Sequence, residues 1–181
     1  GILEVRPSAK KLLEVLAFAR EERVSFLEES SVVTLCQLLN RAAIEQAKTV
    51  LAEPAKYPHS LRGFIRGARF VPARIFVPSL LKLLQQTGLP PKTRELIIDS
   101  LKAMDLTNSR GILPPLIRAL HLPGLDRNRL LDLSTIIAQY GDSENVPPLL
   151  ELTAGETPIA PVAVRTLRNL ARRERNLPLD V

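Results

Sequence analysis

Apolar residues return along this chain in two rhythms, one of three or four positions within a run and one of 33 to 36 positions between runs. Three segments share a pattern: Val77-Pro78-Ser79-Leu80-Leu81-Lys82-Leu83-Leu84, Leu113-Pro114-Pro115-Leu116-Ile117-Arg118-Ala119-Leu120, and Val146-Pro147-Pro148-Leu149-Leu150-Glu151-Leu152. Their prolines at 78, 114 and 147 are 36 and 33 residues apart. Each is followed by a loop and a second amphipathic run, at Thr93 to Met104, Asp126 to Tyr140 and Pro158 to Arg172. Within the second runs Ile98 and Leu101 align with Leu133 and Ile136, and these with Leu167 and Leu170, at steps of 35 and 34. Two independent markers thus give one period, the signature of a repeated supersecondary unit.

The unit reads as helix–turn–helix. Proline fixes φ near −65° and lacks an N–H, so it suits a first helical turn and damages later ones. Pro78, Pro114 and Pro147 are therefore expected to open first helices, and Pro91 to open a second one. Thr157 reads as an N-cap ahead of Pro158, with Pro161 still in the first turn. Gly88, Gly124, Gly141 and Gly155 fall between the runs, where helices stop or turn. Leu130, Leu133, Ile137 and Tyr140 follow the i, i+3, i+7, i+10 spacing of one buried face.

A helix pair of this size cannot bury its apolar face alone, so neighbours must stack. In its proline-bearing first helices, aliphatic second helices and period, the chain resembles the HEAT and armadillo α-helical repeats over residues 77–173. Val164-Arg165-Thr166-Leu167-Arg168-Asn169-Leu170 is most similar to a HEAT second helix. Arg94-Glu95-Leu96-Ile97-Ile98 and Arg129-Leu130-Leu131-Asp132-Leu133 depart from it in detail. The resemblance implies an all-α fold, an α-solenoid or superhelix of stacked antiparallel helix pairs, and a scaffold or adaptor role. The expected single domain, 1–181, comprises degenerate or capping helices over 1–53, a basic connecting pair over 54–76, and three HEAT-like repeats over 77–181.

Stepping back one period predicts a weaker pair near Arg41 to Leu51 and Leu61 to Phe70, joined by a longer connection from Glu53 to His59. Before it, Pro7-Ser8-Ala9 starts a long amphipathic run through Leu12, Val15, Leu16 and Ala19 toward Leu27. Ser31 is a candidate cap for a further run through Val33, Leu35, Cys36, Leu38 and Leu39.

Composition narrows the class without naming a task. With 45% hydrophobic and 24% charged residues, the 181-residue chain falls in the ordinary globular range. One Cys excludes a disulfide scaffold, and 4% aromatics with 8 Gly argue against a large all-β domain. No stretch approaches the ~18 apolar residues of a bilayer span, and a cytoplasmic setting is expected. The start, Gly1-Ile2-Leu3, has no initiator Met and reads as mid-chain sequence, so a piece of a larger, even membrane-tethered, protein is expected.

Candidate chemistry is sparse. His59 and His121 sit in separate connections and read as exposed turn residues. With one Cys and two His, the usual closed zinc sites are excluded. Cys36 lies in the apolar run Val32-Val33-Thr34-Leu35-Cys36 and has no neighbour to activate a thiol, so it reads as core. Glu21-Glu22 and Glu28-Glu29 are adjacent on a helix, diverge by about 100°, and read as solvated faces. No phosphate loop, nucleophile elbow or metalloprotease helix occurs. No catalytic, metal or cofactor residue is assigned, and an enzyme is not expected.

Charge is the unusual feature. The net charge is +6, and no Asp or Glu occurs from Pro54 to Arg94. The same stretch holds Lys56, Arg62, Arg66, Arg69, Arg74, Lys82, Lys92 and Arg94. Arg62, Arg66 and Arg69, at i, i+4 and i+7, line one helix face and repel one another by a few tenths of a kcal/mol per pair. The plainest account is pairing with Glu45, Glu53 or the acidic stretch Glu21 to Glu29. Otherwise Arg62, Arg66, Arg69 and, beyond Pro72, Arg74 bind an anionic partner: an acidic protein first, nucleic acid second, lipid headgroups last. Scarce stacking aromatics weigh against nucleic acid. A chromophore-lyase-like or chaperone-like auxiliary role comes third, with no residue in its favour. A second cluster, Arg165, Arg168, Arg172, Arg173 and Arg175, is explained by the macrodipole of the last helix.

Overall fold

The computed structural model describes residues 8–107, 109, 111–154 and 157–173; among these the chain is all-helical and has no strand. Pro7, Gly155 and Arg175, which the sequence pattern singles out, lie outside the described residues. Close packing divides the chain into two compact units, residues 1–80 and 81–181.

In the first unit α1 (Ala9–Glu21) starts where the Ser8 hydroxyl accepts the Lys11 N–H at 3.3 Å. It ends earlier than the run toward Leu27 implies. Arg23 takes a left-handed φ of 56°, and the Val24 N–H bonds back to the Ala19 carbonyl at 2.8 Å. This Schellman-type stop is usually made by glycine, so the sequence carries no sign of it. α2 (Ser25–Gln37) follows, with Ser31 buried in its interior instead of capping it. Leu39 (φ 51°) makes the next non-glycine turn, and Asn40 caps α3 (Arg41–Ala52) through the Ala43 N–H at 3.1 Å.

α4 (Pro58–Gly67) begins three residues before Leu61, with Pro58 in its first turn, and runs into a 3-10 turn at Ala68–Phe70. His59 is therefore helical, although exposed. α1 packs on α2, α2 on α4, and α3 on both α2 and α4. Leu16, Ala19, Val32, Leu35, Cys36, Ala43, Phe64 and Ile65 form the core of this unit. α5 (Ala73–Leu84) contains Pro78 in its interior. Pro78 thus does not open the helix as its repeat position suggests: the chain is already helical five residues earlier, and the Arg74 carbonyl receives no helical N–H from residue 78.

The second unit follows the repeat closely. Pro91 opens α6 (Pro91–Lys102); Pro114 and Pro115 lie in the first turn of α7 (Leu113–Ala119). Asp126 caps α8 (Arg127–Tyr140) through the Arg129 N–H at 2.8 Å. Pro147 lies in the first turn of α9 (Val146–Glu151). Thr157 Oγ1 accepts the Ala160 N–H at 3.3 Å ahead of α10 (Ala160–Arg173). α7 packs on α8, α9 on α10, and α8 lies between α6 and α10.

Burial carries the same period. Ile98, Leu133 and Leu167 are all buried, on α6, α8 and α10 respectively. Leu80, Leu116 and Leu149, two residues after the three repeat prolines, are fully buried. Ties between neighbouring second helices recur: Lys102 pairs with Asp132 and Arg129 with Asp99 across α6 and α8. Ser134 and Thr166 share a 2.6 Å hydrogen bond across α8 and α10.

Candidate interaction surface

The acid-free stretch is built on α4. Ser60, Leu61, Gly63, Phe64, Ile65 and Gly67 are buried, which leaves His59, Arg62 and Arg66 facing outward, with Arg69 one turn on in the 3-10 segment. These exposed positions follow i, i+3, i+7, i+10, one face of a helix. The structure therefore brings Arg62, Arg66 and Arg69 onto one accessible face. Arg74, also exposed, stands in the first turn of α5 beyond Pro72 and is not part of the α4 face.

The α2–α4 contact, which the sequence pattern did not predict, positions this face. A Cβ on Gly63 would lie 2.7 Å from the Val32 Cβ and 2.9 Å from the Glu29 carbonyl oxygen. The backbones meet where only glycine fits, and the Gly-x-x-x-Gly spacing of 63 and 67 was the available signal. One turn earlier, fully buried Ser60 donates to the Glu28 carboxylate and accepts from Arg20 Nη2 at 2.7 Å. Arg20 Nε also lies 3.4 Å from Glu28 Oε1. This triad ties α1, α2 and α4 together and keeps the Ser60 hydroxyl out of solvent.

Internal pairing accounts for part of the charge. Glu29 of α2 reaches Arg66 in an ion pair. Glu45 pairs with Lys48 at 2.9 Å and Glu53 with Lys56 at 3.5 Å, both within exposed local pairs. Among the described residues, neither Arg62, Arg69 nor Arg74 has a carboxylate within 4.0 Å. The Arg69 guanidinium lies 4.8 Å from the centre of the Phe70 ring, itself 38% exposed. Tyr57, just before α4, is flanked by Lys56 and Arg20 at 5.3 and 5.8 Å. The α4 face is thus cationic, with the half-exposed Phe70 ring beside Arg69.

Two other cations of the basic stretches serve internal ends. Arg94 is buried, at 6% exposure, and donates to the carbonyls of Pro123 at 2.9 Å and Gln86 at 3.1 Å. It does not contribute to a surface patch. Arg173 reaches the carbonyls of Ala138 (2.9 Å), Gln139 and Gly141, capping the C-terminal end of α8. Arg165, Arg168 and Arg172 are exposed. Burial pushes the Cys36 thiol up to about 12, as its place in the core implies.

Among the described residues no group of three His, Cys, Asp or Glu converges as a metal site, and no helix is long and apolar enough to cross a membrane. His59 and His121 are both exposed. Compared with known proteins, the chain matches no family model, no curated protein and no solved structure.

Proposed function

We propose that the chain is a protein-interaction module, a HEAT-like scaffold of stacked helix pairs whose α4 face binds an acidic segment of a protein partner. The recurring buried positions Leu80, Leu116 and Leu149, and Ile98, Leu133 and Leu167, support the repeat reading. One observation carries the binding reading. Of the three arginines on the α4 face, only Arg66 has a carboxylate partner among the described residues, which leaves Arg62 and Arg69 exposed and uncompensated. Like charges along one face oppose folding, and an anionic partner turns that repulsion into attraction. Arg69 stacked on Phe70 adds a planar cation and an aromatic edge, the residue types favoured at interface centres.

The test compares the full chain with the Arg62→Glu/Arg69→Glu variant, using a glutamate-rich peptide and a single-stranded oligonucleotide as probes. The peptide is expected to bind the unaltered chain and to lose at least about tenfold in affinity on the variant, roughly 1.4 kcal/mol. Helical circular dichroism and melting temperature are expected to stay nearly unchanged, since both residues are exposed and neither has a carboxylate partner among the described residues. Oligonucleotide binding that falls by about 10³ or more between 50 and 200 mM salt would replace the protein-partner reading with a nucleic-acid one.

A further inference from the structure

We infer that the second unit carries a separate docking groove, between the N-terminal halves of α8 and α10, for a short acidic segment of a protein partner that inserts an aliphatic side chain flanked by carboxylates. The groove holds about 400 Å³. Its floor is Leu130 and Val162, both buried, and its walls include half-buried Leu125 and Leu131. That volume is ample for one aliphatic side chain laid into an open groove. The floor is aliphatic, so it selects an apolar body and gives a polar molecule nothing to orient it.

The rim supplies the orientation. Arg127 stands on the α8 side and Arg165 on the α10 side, both exposed. Among the described residues neither has a carboxylate within 4.0 Å. Both helices also point their positive ends toward this region. Their leading N–H groups are already engaged, Arg129 N–H by Asp126 and Ala160 N–H by Thr157 Oγ1. An incoming anion is therefore left to the two guanidiniums, which bind carboxylates in bidentate fashion. A cation on each wall matches an occupant with an anion on each side of its apolar anchor. A peptide such as acid–aliphatic–acid has that form, whereas a single-headed amphiphile has one anion only.

Panning a library of random dodecapeptides against the full chain, with fluorescence anisotropy on the selected peptides, tests the inference. The expected consensus is Leu, Ile or Val flanked by Asp or Glu. Selected peptides should bind at least about tenfold more weakly to Arg127→Glu/Arg165→Glu and, when their aliphatic anchor is replaced by Ser, to the unaltered chain. They should bind Arg62→Glu/Arg69→Glu normally, which separates this groove from the α4 face. Methyl NMR signals of Leu131 and Val162 should shift on titration. A consensus without acids, or unchanged binding by Arg127→Glu/Arg165→Glu, would overturn the proposal. So would displacement of the peptide by decanoate at lower concentration than by unlabelled peptide, since the groove would then be a site for a simple amphiphile.

Discussion

Gly67 of α4 lies so close to Cys36 of α2 that a Cβ built on it would sit 2.7 Å from both the Cβ and the Sγ of the cysteine. Gly63, one turn earlier, stands in the same relation to Val32. In an exposed helix, Gly→Ala gains up to about 1 kcal/mol from propensity. Here the methyl group must displace packed atoms, a change that costs about 1–3 kcal/mol. Gly67→Ala and Gly63→Ala are each expected to lower the stability of the chain in urea titration. A gain in stability from either would mean that α2 and α4 do not approach so closely.

The same contact governs Cys36. Its thiol is pushed up to about 12 by burial, from an ordinary 9.0, so the folded chain holds this proton more tightly than the unfolded one. The resulting contribution to stability is fully present below about pH 9 and is lost as pH rises through the window from 9 to 12. Comparing the unaltered chain with Cys36→Ala isolates it. The stability difference between the two should change with pH by up to about 1.4 kcal/mol per unit above pH 9, to the detriment of the unaltered chain. The native thiol should also resist alkylation at pH 8 until denaturant is added. Rapid labelling under native conditions would contradict its burial.

Much of the fold was legible because it rests on local periodicity. Leu116 and Leu149 are two residues after prolines that open helices, and the Ile98, Leu133 and Leu167 register reads directly as one buried face. What was not legible depends on groups distant in sequence, or on backbone states that residue type does not announce. Arg23 turns the chain with a left-handed φ that glycine normally supplies, so the first run reads on toward Leu27 and the break is placed at Ser31, several residues too late. Pro78 sits inside α5 although its repeat position suggests a helix start. The basic stretch was plain in the sequence, but its division was not. Arg66 meets a carboxylate 37 residues away, Arg94 turns inward to carbonyls, and Arg62 and Arg69 remain outside.

Ser134 and Thr166 give the α8–α10 contact a measurable polar link. Thr166 Oγ1 donates to the Val162 carbonyl at 2.8 Å, so its one hydroxyl proton is committed, and Ser134 is the donor in their 2.6 Å bond. Both residues are buried. Thr166→Val removes the acceptor and leaves a buried Ser134 hydroxyl short of a partner, a loss of about 1–3 kcal/mol. Replacing both, Ser134→Ala/Thr166→Val, should recover a large part of that loss. A double-mutant cycle should therefore show a coupling of at least about 0.5 kcal/mol. Strict additivity would place the two hydroxyls out of contact.

Arg94 offers the sharpest contrast between two substitutions that look equally mild. Its guanidinium is buried and spans two carbonyls, Gln86 after α5 and Pro123 before α8, while its Nε has no hydrogen-bond partner among the described residues. A flat fork reaches both carbonyls at once, which an ammonium on a flexible stem does not. Arg94→Lys keeps a charge in the same apolar surroundings with fewer bonds to offset its desolvation. Arg94→Met removes the charge and keeps most of the side-chain volume, a change that is often tolerated at buried ionic sites. The lysine variant is therefore expected to be the less stable of the two. Burial lowers the pKa of such a lysine below its unfolded value near 10.4, so the folded state binds fewer protons than the unfolded state, and stability rises with pH. Urea titrations of Arg94→Lys between pH 7 and 10 should show its deficit relative to Arg94→Met shrinking as pH increases. A lysine variant as stable as the unaltered chain at pH 7 would mean that the guanidinium fork is not what joins these two loops.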